Sequence, residues 1–272
     1  MITRLLIIST ISCIFTLTAC KQSENPEQNK DTKVEESSTS SKENESNSAE
    51  ITQEQANDDS KTKEEPAQEK TRLENLQAKF TEIMNSNVGI STPSTVLQIK
   101  ENDIVIGSND AKITIVEYSS LTCPGCKYYH EKTYSKIKQD FIDTNKVRYI
   151  VRPVASDQQS YNGAVMARCA KEPSKVAQFL SVLYSNQDTW AFNKKSKAIL
   201  ENIGQLGGVS SDEFEKCLDN EEITNKILYD TRDAFNILSI SGTPTIFVQG
   251  EKISGSNAYE NVSKEIEKHL NQ

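Results

Sequence analysis

An α/β domain interrupted by a long helical block is the fold class this sequence predicts, and three observations carry it. Two short runs rich in β-branched and aromatic residues, "ITIVEYSS" at 113–120 and "KVRYIVRPV" at 146–154, flank a segment with helical spacing. Residues 157 to about 236 hold helical patterns only, and strand character then returns in "TPTIFVQGEKISG". Strand, helix, strand in this order favours a parallel pair joined by a crossover.

Near the start of the 272-residue chain, Arg4 precedes an uncharged, mostly apolar run from Leu5 to Ala19. That run is short for a permanent membrane span and reads as an export signal, residues 1–19. It ends in Leu17-Thr18-Ala19-Cys20, which resembles the lipobox of bacterial lipoproteins. The resemblance implies cleavage before Cys20, lipid on Cys20, and a lipid-anchored place in the cell envelope or periplasm. Lys21 after the Cys leans toward the outer membrane.

Residues 20–70 follow as a lipidated start and an acidic tether. Residues 21–70 carry 7 Lys/Arg against 14 Asp/Glu and almost no large apolar side chains. Such a segment buries too little surface to offset its ordering entropy, so disorder is expected, with a reach of roughly 35–45 Å. Most of the net charge of −8 lies here, and residues 71–272 carry only about −2 once Arg4 is counted. With no basic stripe to neutralise phosphates, nucleic acid is not an expected partner.

Leu73, Leu76, Phe80 and Ile83 share one helical face, which predicts an amphipathic helix within residues 71–96. Packing on its own domain is the favoured reading, because two heptads seldom hold a coiled coil; self-association through 71–85 is the alternative. Beyond the first strand, Tyr129, Ile137, Phe141 and Ile142 are spaced for a helix. In the helical block, Gly207-Gly208 stops one helix and Ser210-Ser211-Asp212-Glu213 has the capping-box pattern that starts the next. A turn at Gly250 and a last amphipathic helix in "AYENVSKEIEKHL" complete the chain.

With Cys13 in the export signal and Cys20 lipidated, Cys123, Cys126, Cys169 and Cys217 remain, an even number that suits two disulfides outside the cytoplasm. Cys123-Pro124-Gly125-Cys126 stands where a strand turns into a helix. Unpaired backbone N–H groups and the helix dipole there favour a thiolate on Cys123, the attacking group. Cys126, one turn inside, would resolve the mixed disulfide. A zinc site needs two further ligands, and the chain has only His130 and His269 and no second pair of closely spaced cysteines. Neither a metal nor an organic cofactor is expected.

The export signal, the Cys-Pro-Gly-Cys centre between strand and helix, the helical block and Gly242-Thr243-Pro244-Thr245 together resemble the DsbA-like members of the thioredoxin superfamily, over roughly residues 97–270. The resemblance implies a thioredoxin-like fold in 97–272 with a helical insertion at about 157–236, and thiol–disulfide exchange as the activity. It assigns to Pro244 a cis peptide facing the cysteine pair, beside Thr243. It assigns to Glu117 the part of a buried acid that moves protons for Cys126; burial would raise the pKa of such a carboxyl. It also implies a second disulfide between Cys169 and Cys217, worth on the order of 4 kcal/mol. Reduced or unfolded exported proteins and a membrane redox partner are the implied partners.

The interior of the motif departs from the strongly oxidising pattern, since Gly125 stands where those proteins have His. Less stabilisation of the reduced form means a weaker oxidant. Disulfide formation is the leading expectation, with isomerase or reductase activity next and a non-enzymatic surface lipoprotein as the reading from another class. Trp190, Tyr161 and Phe179 are expected to pack in the core.

Overall fold

Residues 61–86, 91–170 and 172–272 are described by the structure, a computed structural model. The export signal, Cys20 and the acidic stretch up to residue 60 lie outside the described residues. No described helix is long and apolar enough to cross a membrane.

Five strands form one mixed sheet in the order β1-β3-β2-β4-β5: β1 Ile104–Ile106, β2 Ile113–Ser119, β3 Val147–Pro153, β4 Thr245–Val248 and β5 Glu251–Lys252. β2 and β3 pair in parallel, as the strand, helix, strand order requires, and β1, β4 and β5 join antiparallel. β1 has three residues, too short for alternation to announce it in sequence. Gly250, at φ +84°, supplies the left-handed residue of the β4–β5 turn.

The two faces of the sheet carry different cores. Ile113, Ile115, Tyr149, Val151, Ile246 and Val248 belong to the larger one, which includes Cys126 and Tyr129 of the helix after the cysteine pair. Alternation along β2 places Glu117 and Ser119 on that same face. Val116, Tyr118, Ile150 and Phe247 face the other way into a smaller core.

That second face also hides a fully buried ion pair. Arg152, which reads in sequence as one more residue of a buried strand, donates through Nε and Nη2 to Asp103 at 3.0 and 2.8 Å. It also donates to the carbonyls of Val96 and Gln98 and to Tyr118 Oη, so the guanidinium is satisfied without water. Lys226 Nζ closes the network on Asp103 and Asp230.

Six α-helices are described between β3 and β4, the last running on into a π-type turn at Asp233–Ile237: Gln158–Cys169, Pro173–Ser185, Gln187–Trp190, Ser196–Leu206, Ser211–Leu218 and Glu221–Arg232. Ser210 and Glu213 form the reciprocal cap that the pattern predicts. The structure joins Cys169 to Cys217, tying the first of these helices to the fifth across 48 positions. Gly163 lets the first helix close on Trp190, since a Cβ there would stand 2.9 Å from the indole ring. Trp190, Tyr161 and Phe179 are all core residues.

The first described helix runs Lys61–Asn85, so residues 61–70, read from composition as tether, are helical. Good helix formers fill the segment, and ion pairs anchor it. Arg72 grips Asp219 and Glu215, Lys197 reaches Glu69, and Lys79 meets Glu221. Ile83 is buried, and Leu76 packs against the main core. The apolar face lies on its own domain, while Leu73 stays at the exposed edge.

Candidate active site

β2 runs straight into the cysteine pair, and that is what places it. Cys123 is the N-cap of the helix Pro124–Tyr129, with Pro124 at the first helical position, where its missing N–H costs no hydrogen bond. The helix continues through wider π-type turns at His130–Tyr134 and Lys138–Ile142. Antiparallel pairing of Tyr118 with Thr245 and Glu117 with Ile246 brings the start of β4 beside the end of β2. The residues just before β4, Thr243 and Pro244, thereby reach the pair from the other strand.

The Thr243-Pro244 peptide is cis. A Cβ built on Gly125 would lie 3.6 Å from Cys123 Sγ and 3.7 Å from both Pro244 Cδ and Thr243 O, so the four groups share one small space. Cys123 Sγ is 3.3 Å from Thr243 O, to which its thiol donates.

The two thiols are free and differ in nearly everything else. Cys123 is half-buried and Cys126 is fully buried. The Cys126 thiol donates to Cys123 and, with the backbone N–H groups of Cys126 and Gly125, brings the Cys123 pKa down from 9.0 to about 5. Burial pushes the Cys126 thiol far above the ordinary range, and the neighbouring Cys123 adds to the shift. A thiolate therefore forms on the outer sulfur while the inner one keeps its proton, the division of labour that attack and resolution need.

Glu117 is completely buried on the face of β2 that carries the larger core. Burial pushes its carboxyl up, as expected from its strand, yet the net direction is down. The reason is His130, whose Nε2 lies 3.1 Å from both carboxylate oxygens, helped by Tyr149 Oη, which donates at 2.8 Å. The expectation of a raised pKa omitted this partner. His130 counted in the sequence only as a missing zinc ligand, although four residues after Cys126 put it on the same helical face.

Sequence reasoning also missed Ser119 and Gln187. Ser119 is buried at the end of β2, its hydroxyl 2.7 Å from that of Tyr184. Gln187, in the helical block, donates from Nε2 to the carbonyls of Leu121 and Cys123, pinning the turn that presents Cys123. The Thr122 hydroxyl donates to Asp157 Oδ2 at 2.6 Å and holds the other side of that turn. None of these contacts leaves a local pattern, because each joins segments far apart in sequence.

This arrangement resembles a thioredoxin-type centre, and a family model described as thioredoxin matches residues 99–268. The chain belongs to the thioredoxin family and, within it, is DsbA-like. A Rickettsia felis protein named "Putative protein-disulfide oxidoreductase" is 34% identical over 186 residues, covering 68% of this chain and 66% of that protein. "Disulfide bond formation protein D" of Bacillus subtilis is 25% identical over 61% of this chain and 76% of its own length. Among solved structures, Wolbachia pipientis alpha-DsbA1 superposes with a TM-score of 0.62 at 28% identity, covering 66% of this chain and 96% of that one. The chain thus spans about two thirds of the length of the rickettsial relatives.

Proposed function

We propose that this chain is a protein thiol–disulfide oxidoreductase that forms disulfides in exported proteins by exchange at Cys123 and Cys126. One observation carries the reading: a half-exposed Cys123 whose pKa falls to about 5 sits over a buried Cys126, with cis Pro244 against the pair. A lowered pKa on the attacking sulfur stabilises the reduced form, and that makes the disulfide form a donor of disulfides. The names of the relatives support the same activity.

Reduced exported proteins would be the substrates, and a membrane redox partner would restore the disulfide. Cys20 would carry the lipid that keeps the enzyme at the cell envelope, on the outer membrane if Lys21 sorts it there.

A second reading, isomerase or reductase, is favoured by Pro124-Gly125 inside the motif and Thr243 before the proline. Two assays on one preparation decide between them: refolding of a reduced substrate protein, and reduction of insulin. Disulfide formation in the first, lost in Cys123→Ser, is the expected result. Reduction of insulin alone selects the second reading, and inertness in both overturns the enzyme.

A further inference from the structure

Three side chains that disulfide exchange does not use meet where the last helix passes the edge strand. Glu265 and His269 are four residues apart on the helix Tyr259–Leu270, so they stand one above the other on a single face. Glu251 comes from β5. It pairs with Val248 at the end of β4, whereas Thr245, at the start of β4, is the end beside the cysteine pair. The last helix packs on β2 and β4, and Glu251 thereby reaches it.

The His269 ring is 11% exposed, and its Nε2 lies 3.2 Å from Glu265 Oε1 and 3.9 Å from Glu251 Oε2. That nitrogen is itself shut off from solvent and, among the described residues, has no partner with hydrogen-bond geometry. The three donor atoms all fall within 4.8 Å of one another.

An ion-pair net accounts for part of the cluster. Lys268 Nζ donates to the same two oxygens, Glu251 Oε2 at 2.9 Å and Glu265 Oε1 at 2.6 Å. One ammonium between two carboxylates marks a place for a cation, but it leaves the imidazole nitrogen that faces them unused. A metal ion would use all three groups. A tetrahedral ion about 2.0–2.1 Å from each N or O donor holds its donors about 3.3 Å apart. The contact between His269 and Glu265 already has that length, and the longer one closes with a small movement of Glu251, which is exposed on a strand of two residues. An imidazole with two carboxylates suits zinc, while calcium and magnesium take oxygen donors.

We propose that Glu251, Glu265 and His269 form a zinc site apart from the redox centre, in which the metal displaces the Lys268 ammonium and clamps the edge strand to the last helix. The site does not depend on exchange at Cys123. In sequence His269 counts only as one of too few ligands for the cysteines. Glu265 stands four positions before it, and Glu251 joins them only through the β4–β5 turn.

The test is calorimetric titration of zinc chloride into Cys123→Ser/Cys126→Ser protein, because the two free thiols would bind zinc themselves. One zinc per chain is expected. His269→Gln and Glu265→Gln should each weaken it at least about tenfold, the least that losing even an indirect support of a metal costs. Lys268→Met discriminates: it should bind zinc about tenfold more tightly, since a positive charge a few ångströms from a divalent ion is gone. An ion-pair net without a metal would only lose stability in that variant. Zinc should also raise the unfolding midpoint of the parent protein and of Lys268→Met, and raise that of His269→Gln less. No binding, or binding that both ligand variants leave intact, overturns the site. Binding seen only in Lys268→Met overturns it too, because the native ammonium then keeps the metal out. Should one ligand variant fail to fold, the other decides together with Lys268→Met.

Discussion

Replacing Cys126 by Ala isolates the force that makes Cys123 reactive. The Cys126 thiol is the largest single influence lowering the Cys123 pKa to about 5, ahead of Thr243 and the backbone N–H groups of Cys126 and Gly125. Alanine removes the thiol donor and leaves the backbone donors in place. A hydrogen bond to a charged group is worth about 1.5–3 kcal/mol, and one pKa unit corresponds to about 1.4 kcal/mol. Cys123 is half-exposed, so solvent screens the loss and the low end applies. Cys126→Ala should therefore raise the pKa by about one unit, still well below the ordinary thiol. The rate of alkylation by iodoacetamide against pH reads this directly, because Cys169 and Cys217 are bonded to each other. A midpoint unmoved from the wild type, or one returned to the value of a free thiol near 9.0, would refute the ranking of causes. The sign of the linked stability follows. A thiolate pKa lowered on folding stabilises the reduced protein fully above the unfolded value, and this contribution fades as pH falls through about 5.

Three further outcomes are expected. Cys169→Ser/Cys217→Ser opens a 48-residue separation and should cost about 4 kcal/mol in urea unfolding without reductant, whereas an unchanged midpoint would show that the bridge contributes nothing. Asp103→Asn leaves Arg152 buried without its charge partner and should cost about 3–5 kcal/mol. Since Arg152 and Lys226 hold the Asp103 pKa down, wild-type stability from this pair is present above the ordinary carboxylate range and lost as pH falls through the lowered value; the variant should show a flatter acid limb, and parallel limbs would contradict the pairing. Gly125→His fits, because a Cβ there makes only ordinary contacts, and a further donor to the thiolate should raise the reduction potential by about 30 mV in a glutathione titration. A potential that stays or falls would mean the added ring does not reach Cys123.

Much of this protein is legible without coordinates. Composition separates the acidic N-terminal stretch from a chain able to fold, and β-branched runs locate β2, β3 and β4 because a strand between two cores must be apolar on both faces. The Cys-Pro-Gly-Cys spacing and its place between strand and helix are local facts, and so are the Ser210 cap and the turn at Gly250. The tether boundary at residue 70 was misplaced because composition cannot register Arg72 meeting Asp219 from 147 positions away.

The centre divides in the same way. Sequence determined that Cys123 would be the outer thiol and Cys126 the inner one, since a helix start exposes its cap and buries the residue one turn on. Only the tertiary structure decided the company they keep. It put His130 against Glu117, turning the expected rise of a buried carboxyl into a fall, and it set the Ser119 hydroxyl against that of Tyr184. It also brought Gln187 to the Cys123 carbonyl from the helical block. The physical reason is common to all of them: a pKa or a fixed turn depends on charges and donors within a few ångströms, and folding, not spacing along the chain, decides which groups arrive there.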